Sequence, residues 1–150
     1  MQQIEIEKNI GKVISISSLS FLEKKKHFDD SKPTFINFWF TNCPPCVEEI
    51  PSLNELQVFY GEKVNFIAIT FDDKEKVKKF LNKFDFQLFH IVNAEKFIDK
   101  LKISSFPTNF ILNKNQELEF IEGSLPLKSG DEKVYEIVMD KLKQKINSLL

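Results

Sequence analysis

The chain has 150 residues, of which 42% are hydrophobic and 29% are charged, and its formal net charge is −1. This length and balance predict one domain, residues 1–150, and exclude a disordered tail. They give no sign of the basic surface by which a nucleic-acid-binding protein is recognised. No apolar run approaches the ~18 residues that a membrane-spanning helix needs. All 21 basic residues are Lys, so side chains cannot build the planar clamp that Arg makes with phosphate or carboxylate.

Hydrophobic periodicity predicts strands and helices that alternate along the chain. Strands are predicted over residues 12–22, 33–40, 64–71 and 86–93, and in both halves of 108–123 around a turn at 113–116. Apolar positions three and four apart predict helices over residues 47–60, 72–84, 94–103 and 130–150. The charged segment 23–32 is interpreted as a solvated connector. Strands that alternate with helices, followed by a hairpin and a closing helix, predict an α/β fold with parallel strands and one antiparallel edge pair.

The segment NFWFTNCPPCVEEIP, residues 37–51, holds the only Trp and the only two cysteines. The strand ends near Phe40 and the helix begins within CPPC, which places Cys43 at or just before the first helical turn. Free N–H groups and the positive end of the helix dipole favour a thiolate there, which can lower a cysteine pKa from ~8.5 toward ~7. Cys46 lies one turn further on, where it can close the ring as the buried, resolving thiol.

The prolines of this segment fit a helix start. Pro44 and Pro45 suit the first turn, because the N–H groups that they lack would be unpaired there. Because neither proline has an N–H group to donate to the sulfurs, they also tend to raise the thiol pKa, which opposes the effect of the helix dipole. Pro51 cannot bond to the carbonyl of Val47, so a kink is expected in the helix.

Other interpretations of a lone CxxC are disfavoured by what surrounds it. A structural zinc site needs two more ligands, and neither His27 nor His90 lies at zinc-finger spacing. Haem attachment needs a His directly after the second cysteine, and Val47 stands there. The motif therefore favours a dithiol that exchanges with disulfides.

Residues 37–56, NFWFTNCPPCVEEIPSLNEL, resemble the active-site segment of the thioredoxin superfamily, and most closely its TlpA/ResA-like branch of extracytoplasmic thiol–disulfide oxidoreductases. The residues that match the pattern of the branch are Asn37, Phe38, Trp39, Thr41, Cys43, Pro44, Pro45, Cys46, Glu49, Pro51 and Leu53. A second family signature, a cis-proline facing the disulfide, is matched by Pro107 in SSFPTNFIL. The resemblance covers most of residues 10–147.

The resemblance implies a thioredoxin-like three-layer sandwich, in which helices flank a central mixed β-sheet. It also implies an N-terminal extension and an added helix–strand unit over residues 71–92. The activity implied is that of a thiol–disulfide oxidoreductase, which reduces protein disulfides through the Cys43–Cys46 pair and needs no other cofactor or metal. Pro107 would belong to the catalytic site, and Glu49 would be a buried acid that accepts the proton of Cys46. An exposed helical Glu, such as Glu48, is the alternative for Glu49.

The same resemblance assigns a substrate groove to Trp39, Asn42, Pro44, Pro45, Phe106 and Thr108, with Trp39 as a packing support beside the site. Three positions depart from the family pattern. Asn42 replaces an aromatic residue before the first cysteine, and Val47 replaces a basic residue after the second. Phe106 replaces a smaller residue before the cis-proline, where its bulk would narrow the groove. These departures affect the expected substrate and not the expected reaction.

The resemblance also implies partners and a location. The expected partners are a protein disulfide substrate and an upstream thiol electron donor, with no nucleic acid, and a monomer is expected. TlpA-like proteins are mostly exported or membrane-tethered, which implies a periplasmic or other extracytoplasmic location with a possible tether before Met1. The opening residues MQQIEIEKNIGK lack the order of a signal peptide, so a cytoplasmic reductase is the alternative.

Two other function classes remain as alternatives. A peroxiredoxin-like peroxidase would need a Thr three residues before the reactive cysteine and an Arg, whereas Thr41 lies two residues before Cys43 and the chain has no Arg. A non-catalytic binding module, or a chaperone that holds a soft metal such as Cu(I) on the two thiolates, is the other alternative.

Overall fold

A computed structural model of the chain describes residues 2–23 and 28–150. Its helices are α1 (Gln2–Glu7), α2 (Pro44–Glu48), α3 (Ile50–Tyr60), α4 (Lys74–Leu81), α5 (Glu95–Lys100) and α6 (Glu132–Asn147). Its strands are β1 (Ser20–Phe21), β2 (Thr34–Phe38), β3 (Asn65–Ile69), β4 (Phe89–Val92), β5 (Thr108–Leu112) and β6 (Leu118–Glu122). Part of the predicted connector, including His27, lies outside the described residues.

The strands form one mixed sheet in the order β1-β4-β3-β2-β5-β6. Strands β2, β3 and β4 are parallel, whereas β1/β4, β2/β5 and β5/β6 are antiparallel pairs. The α/β class, the central mixed sheet and the antiparallel hairpin β5/β6 at one edge are confirmed, but the expectation of a single antiparallel pair is wrong, because β1/β4 and β2/β5 are also antiparallel. Hydrophobic alternation shows which residues are buried and does not encode the direction in which a strand enters the sheet.

The N-terminal part of the chain differs from the prediction. The sequence predicts a single strand over residues 12–22, but only Ser20–Phe21 pairs as a strand and Val13 makes one isolated bridge to Glu117. Ile14 and Ile16 are nevertheless buried. The alternation therefore marks a segment that packs on one face of the sheet and bonds to it at only a few backbone positions, such as the Ile14 N–H to the carbonyl of Gln116. Helix α1 precedes this segment and is too short for its periodicity to be recognised.

Two hydrophobic layers cover the two faces of the sheet, and β2 contributes to both of them. Phe35 belongs to the layer packed under α3, α4 and α6, whereas Ile36 and Phe38 belong to the layer packed under α1 and α5. All five residues of β2 are buried, as expected for a central strand with a neighbour on either side. The three-layer sandwich is thereby confirmed, with α4 and β4 as the added helix–strand unit.

The chain leaves β2 and enters two successive helices instead of one. Helix α2 ends at Glu48 and α3 begins at Ile50, with Glu49 between them at φ −87° and ψ −5°. Pro51 occupies the first turn of α3, where its missing N–H costs little. The kink expected from Pro51 is present as a break between two helices, and it leaves Glu49 at the junction.

Candidate active site

Cys43 and Cys46 form a disulfide at the start of α2, with their Cα atoms 5.3 Å apart. Cys43 is the N-cap residue of α2, and its sulfur accepts a hydrogen bond from the backbone N–H of Cys46 at 3.3 Å. The predicted position at the helix start is therefore confirmed. An N–H group at a helix N-terminus stabilises negative charge on the sulfur that it faces.

The two cysteines are buried to nearly the same extent. Cys43 is 3% exposed and Cys46 is 2% exposed, so access alone does not identify the attacking thiol in the oxidised protein. The N-cap position supports Cys43, because the Cys46 N–H points at its sulfur. The assignment of attacking and resolving roles stays a prediction.

Exposed residues surround the disulfide. Asn42, Pro44 and Pro45 are all exposed, and their role as groove residues stays a prediction. The two prolines occupy the first positions of α2. A partner that approaches the disulfide would therefore meet an amide side chain and two rigid pyrrolidine rings.

Asp72 holds the loop before Cys43 in place. Its carboxylate accepts the backbone N–H of Thr41 at 2.8 Å, and its other oxygen lies 3.7 Å from the ammonium of Lys76. Asp73, and not Asp72, caps α4 by accepting the backbone N–H of Lys76. The sequence does not reveal the role of Asp72, because Thr41 lies 31 residues away along the chain.

Glu49 is buried at the junction of α2 and α3, with 1% of its surface exposed. One carboxylate oxygen accepts the amide N–H of Asn37 at 2.7 Å, and the other accepts the backbone N–H of Leu125 at 2.7 Å. Burial raises the pKa of Glu49 to about 7, against the opposing effect of the hydrogen bonds from Leu125 and Asn37. The carboxyl group therefore takes up and releases protons near neutral pH, and the exposed alternative is excluded.

Asn109 extends this buried network to the strand beside β2. The oxygen of its amide accepts the second N–H of the Asn37 side chain at 2.8 Å, and its own NH₂ donates to the carbonyl of Gly123 at 2.9 Å. The two asparagines are cross-strand partners in the β2/β5 pair. Asn109 is not identified from the sequence, and only its place two residues after Pro107 could have drawn attention to it.

The peptide bond between Phe106 and Pro107 is cis, as the resemblance implied. Thr108 follows it and pairs with Phe38 in the β2/β5 register, which brings this turn to the end of β2 that leads into the CPPC loop. The ring of Phe106 lies 5.5 Å from that of Phe40.

Phe40, Phe71 and Phe106 form an aromatic cluster at this end of the sheet. Each ring contacts the other two, with centroids 5.4 to 5.7 Å apart. Phe71 is 38% exposed and Phe106 is half-buried. The side chain of Phe106 therefore packs in a cluster with Phe40 and Phe71, and its expected narrowing of the groove stays a prediction.

Two of the predicted groove residues do not line an open surface. Trp39 is fully buried, and its indole packs on the rings of Phe80 and Phe86 at 4.9 and 5.1 Å. Thr108 is 4% exposed, and its hydroxyl donates to the carbonyl of Ser105 at 2.7 Å. The placement of both side chains in the groove is corrected. Trp39 supports the site from the core, which agrees with the packing role expected of it, and Thr108 stabilises the turn before β5.

His90 lies in the same core, beside Trp39. Its ring is 5.8 Å from the indole, and Nε2 lies 3.2 Å from the carbonyl of Phe86. Burial lowers the pKa of His90 to about 4, so the imidazole is neutral at physiological pH. This agrees with a structural role.

Neither a metal cluster nor a membrane-crossing helix is found in the part of the chain that the structure describes. No group of three His, Cys, Asp or Glu side chains there could hold a metal ion. No helix among residues 2–23 and 28–150 combines the length and apolarity needed to cross a membrane.

A model of the family described as thioredoxin-like matches residues 30–118, which include the CPPC motif, the cis-proline and all of strands β2 to β5. The chain belongs to the thioredoxin-like family. Its similarity to ResA proteins places it in the TlpA/ResA-like branch. ResA of Bacillus thuringiensis subsp. konkukian is 34% identical over 117 residues, which cover 74% of this chain and 68% of that protein.

The alignments with other relatives cover different fractions of those proteins. The thioredoxin-like protein YneN of Bacillus subtilis is 26% identical over 125 residues, which cover 80% of this chain and 74% of that protein. ResA of Bacillus anthracis is 37% identical over 87 residues, which cover 56% of this chain and 50% of that protein. The matched region of this chain thus spans about half the length of several of the ResA proteins that it resembles.

Solved structures share the fold of this thioredoxin-like chain. The thioredoxin domain of a thiol-disulfide oxidoreductase from Bacteroides vulgatus aligns with a TM-score of 0.68 at 15% identity, over 88% of this chain and 96% of that one. The exposed lipoprotein thioredoxin Etrx1 of Streptococcus pneumoniae aligns with a TM-score of 0.67 at 15% identity, over 87% and 97%. At this level of identity the likeness shows the fold alone.

Proposed function

We propose that this protein is a thiol–disulfide oxidoreductase that reduces disulfide bonds of other proteins. The observation that carries the proposal is the Cys43–Cys46 disulfide at the N-terminus of α2, with the buried carboxyl of Glu49 three residues further on. Two sulfurs that can close a ring, and a proton acceptor with a pKa of about 7, are the groups that reversible exchange requires.

The reaction has two exchange steps. In the reduced protein, the Cys43 thiolate attacks one sulfur of the partner disulfide, and the other partner sulfur leaves as a thiolate that takes up a proton. The Cys46 thiolate then attacks the Cys43 sulfur, which forms the Cys43–Cys46 disulfide and releases the second partner thiolate. Two electrons have passed to the partner, and an external dithiol must reduce the Cys43–Cys46 disulfide before the next cycle.

Glu49 serves the second step in this scheme. Cys46 must lose its proton before it can attack, and a carboxylate with a pKa of about 7 can accept that proton at neutral pH and release it again. The hydrogen bonds from Asn37 and Leu125 hold the carboxylate in place through the cycle. Pro107 contributes the cis turn beside the exchange site.

The partners are a protein disulfide substrate and an upstream thiol donor, and no cofactor beyond the redox-active disulfide is needed. Residues 1–150 act as one thioredoxin-like domain and as a monomer. The location is extracytoplasmic, with export or a membrane tether. Support for the thiol–disulfide chemistry comes from the names of similar proteins, several of which are thiol-disulfide oxidoreductases named ResA.

Insulin reduction tests the proposed activity. With dithiothreitol as the thiol donor, the wild-type protein is expected to accelerate precipitation of the insulin B chain, and Cys43→Ser is expected to abolish the acceleration. Cys43 and Cys46 are the only cysteines, so alkylation of the reduced protein serves as a control that must also abolish activity. A Cys43→Ser protein that still reduced insulin would refute the proposal.

A further inference from the structure

A cleft of about 280 Å³ lies directly beside the redox-active loop. Thr41 and Asn42, the two residues before Cys43, line it on one side, and α4 with the turn after it lines the other. Phe80 and Phe84 stack at 4.5 Å and give the cleft an apolar lining. A segment of a partner protein that brings its disulfide to Cys43 would pass close to this cleft.

Three exposed lysines line the same cleft, which is called the lysine cleft below: Lys76, Lys79 and Lys83. They are spaced three and four residues apart and so project from one side of α4 and its following turn. The described residues that line the cleft include no Asp or Glu.

Within the described part of the chain, only one of these lysines has an acidic partner. Lys76 lies 3.7 Å from a carboxylate oxygen of Asp72. Among residues 2–23 and 28–150, neither Lys79 nor Lys83 has a carboxylate within 4 Å. The cleft therefore carries an excess of positive charge next to the disulfide, although the whole chain has a net charge of −1.

We propose that the lysine cleft docks an acidic segment of the partner protein that flanks the partner's reactive cysteine. The inference rests on the proposed function and names the substrate class for that site. The occupant is negatively charged because Lys79 and Lys83 lack a carboxylate partner among the described residues. It also carries an apolar group that packs against the ring of Phe84, which is 41% exposed. Exposed charges of this kind act mainly on the rate of encounter, and their effect is screened by salt.

Peptides with a cysteine activated as a neutral pyridyl disulfide test the docking. Three peptides of equal length carry Glu, Gln or Lys on both sides of the cysteine, and the rate of their reaction with the reduced protein is measured at low salt. The wild type is expected to react about tenfold faster with the Glu peptide than with the Lys peptide, in the range of electrostatic steering. The difference is expected to collapse at high salt.

The variant K79E/K83E is expected to reverse the order of the peptides. Its matched control is K96E/K100E, which changes two exposed lysines four residues apart on α5, on the opposite face of the sheet. Both variants have the same net charge, so the control is expected to keep the wild-type order. An unchanged order in K79E/K83E, or an equal change in the control, would overturn the docking proposal. A wild type that failed to react with the neutral Gln peptide would instead refute the proposed function.

A second inference rests on a separate observation, the direction of the buried hydrogen bonds around Glu49. The carbonyl of Gly123 can only accept, so the NH₂ group of Asn109 must point toward it. The amide oxygen of Asn109 then faces Asn37, whose NH₂ group donates to that oxygen and to the Glu49 carboxylate. A single backbone carbonyl thus sets the orientation of two amides in series.

We infer that Asn109 is a positioning residue that fixes the Asn37 amide with its NH₂ toward Glu49. Asn109 and Asn37 are 0% and 1% exposed, so water does not replace either bond without rearrangement. Glu49 is faced by Asn37 from β2, by Asn109 from β5 and by the Leu125 N–H from the segment after β6. None of these groups is charged, and the titratable groups near it on its own segment are the cysteine thiols, when reduced, and the exposed Glu48.

The test measures the titration of Glu49 by carboxyl ¹³C NMR in the oxidised protein, where the cysteines do not titrate. Asn109→Leu removes both hydrogen bonds, frees Asn37 to turn, and is expected to raise the midpoint by about one unit, as loss of a hydrogen bond to a charged group would. Asn109→Ala, which leaves space for water, is a second variant in case Leu does not fit.

The matched control is Asn65→Leu, which removes a buried asparagine of β3 that bonds to the carbonyl of Asp29 and not to Glu49. It is expected to lower stability without moving the Glu49 midpoint. An unchanged midpoint in a folded Asn109 variant, or an equal shift in the control, would overturn the inference. Because the oxidised protein catalyses nothing in this measurement, the result is independent of the proposed function.

Discussion

The replacement Glu49→Gln tests the buried carboxyl at the junction of α2 and α3. Burial raises the pKa of Glu49 from 4.5 to about 7, whereas in the unfolded chain the group titrates at its ordinary value. A shift of about 2.5 units, at 1.36 kcal/mol per unit, corresponds to about 3 kcal/mol of unfolding free energy. The native state holds the proton more tightly, so this contribution is complete below pH 4.5 and is lost as the pH rises through about 7.

The assay is urea unfolding of the oxidised protein between pH 4 and pH 8, followed by the fluorescence of the single, fully buried Trp39. The free energy of unfolding of the wild type, minus that of Glu49→Gln, is expected to fall by about 3 kcal/mol over this range. Taking the difference removes the effect of every other titrating group. The substitution also replaces the carboxylate oxygen that accepts the Leu125 N–H with a group of an amide. This change adds to the free energy of unfolding a constant that does not vary with pH.

Glu48→Gln provides the control, because Glu48 is adjacent but exposed. Its difference from the wild type is expected to stay constant with pH. A constant difference for Glu49→Gln as well would contradict the reasoning, because it would mean that the buried carboxyl titrates as it does in the unfolded chain.

Three further predictions concern stability. His90 is expected to titrate near pH 4 when followed by NMR, because burial lowers its pKa to about 4. Its contribution to stability is present above pH 6.5 and is lost as the pH falls toward 4. A titration midpoint near 6.5 would contradict this expectation. Asp131→Ala is expected to cost about 1 kcal/mol in urea unfolding, because Asp131 caps α6 by accepting two backbone N–H groups, and a neutral result would refute the cap. Leu53→Ala, at a fully buried position, is expected to cost about 2–5 kcal/mol, whereas Val58→Ala, 69% exposed, should change stability by less than about 0.5 kcal/mol.

The redox pair and its surroundings could be predicted because their information is local. CPPC between a buried strand and an amphipathic helix determines where Cys43 lies, and the prolines reinforce the same helix start. The break before Pro51 follows from one missing N–H. Each of these features depends on residues within one or two helical turns, which a single sequence displays directly.

The contacts that organise the site could not be predicted in the same way. Asn37 and Asn109 are 72 residues apart, and Thr41 and Asp72 are 31 apart. No spacing rule connects such pairs until the strand order is known. The burial of Thr108 escaped prediction for a related reason, because a residue beside a motif can face the core or the surface according to how distant elements pack.

The direction of the strands in the sheet also could not be predicted from the sequence pattern. Strand β5 pairs antiparallel with β2 in the middle of the sheet, although its run of buried residues looks like that of the parallel strands β2 and β3. Burial on both faces produces the same apolar run in either direction.

Trapping of a mixed disulfide tests most directly whether Cys43 attacks and Cys46 resolves. The reduced Cys46→Ser and Cys43→Ser variants are each mixed with a peptide disulfide, and the products are identified by mass spectrometry. Cys46→Ser is expected to accumulate a peptide linked to Cys43, because no second thiol remains to release it, and Cys43→Ser is expected to react far more slowly. Equal or faster trapping on Cys46 would contradict the account.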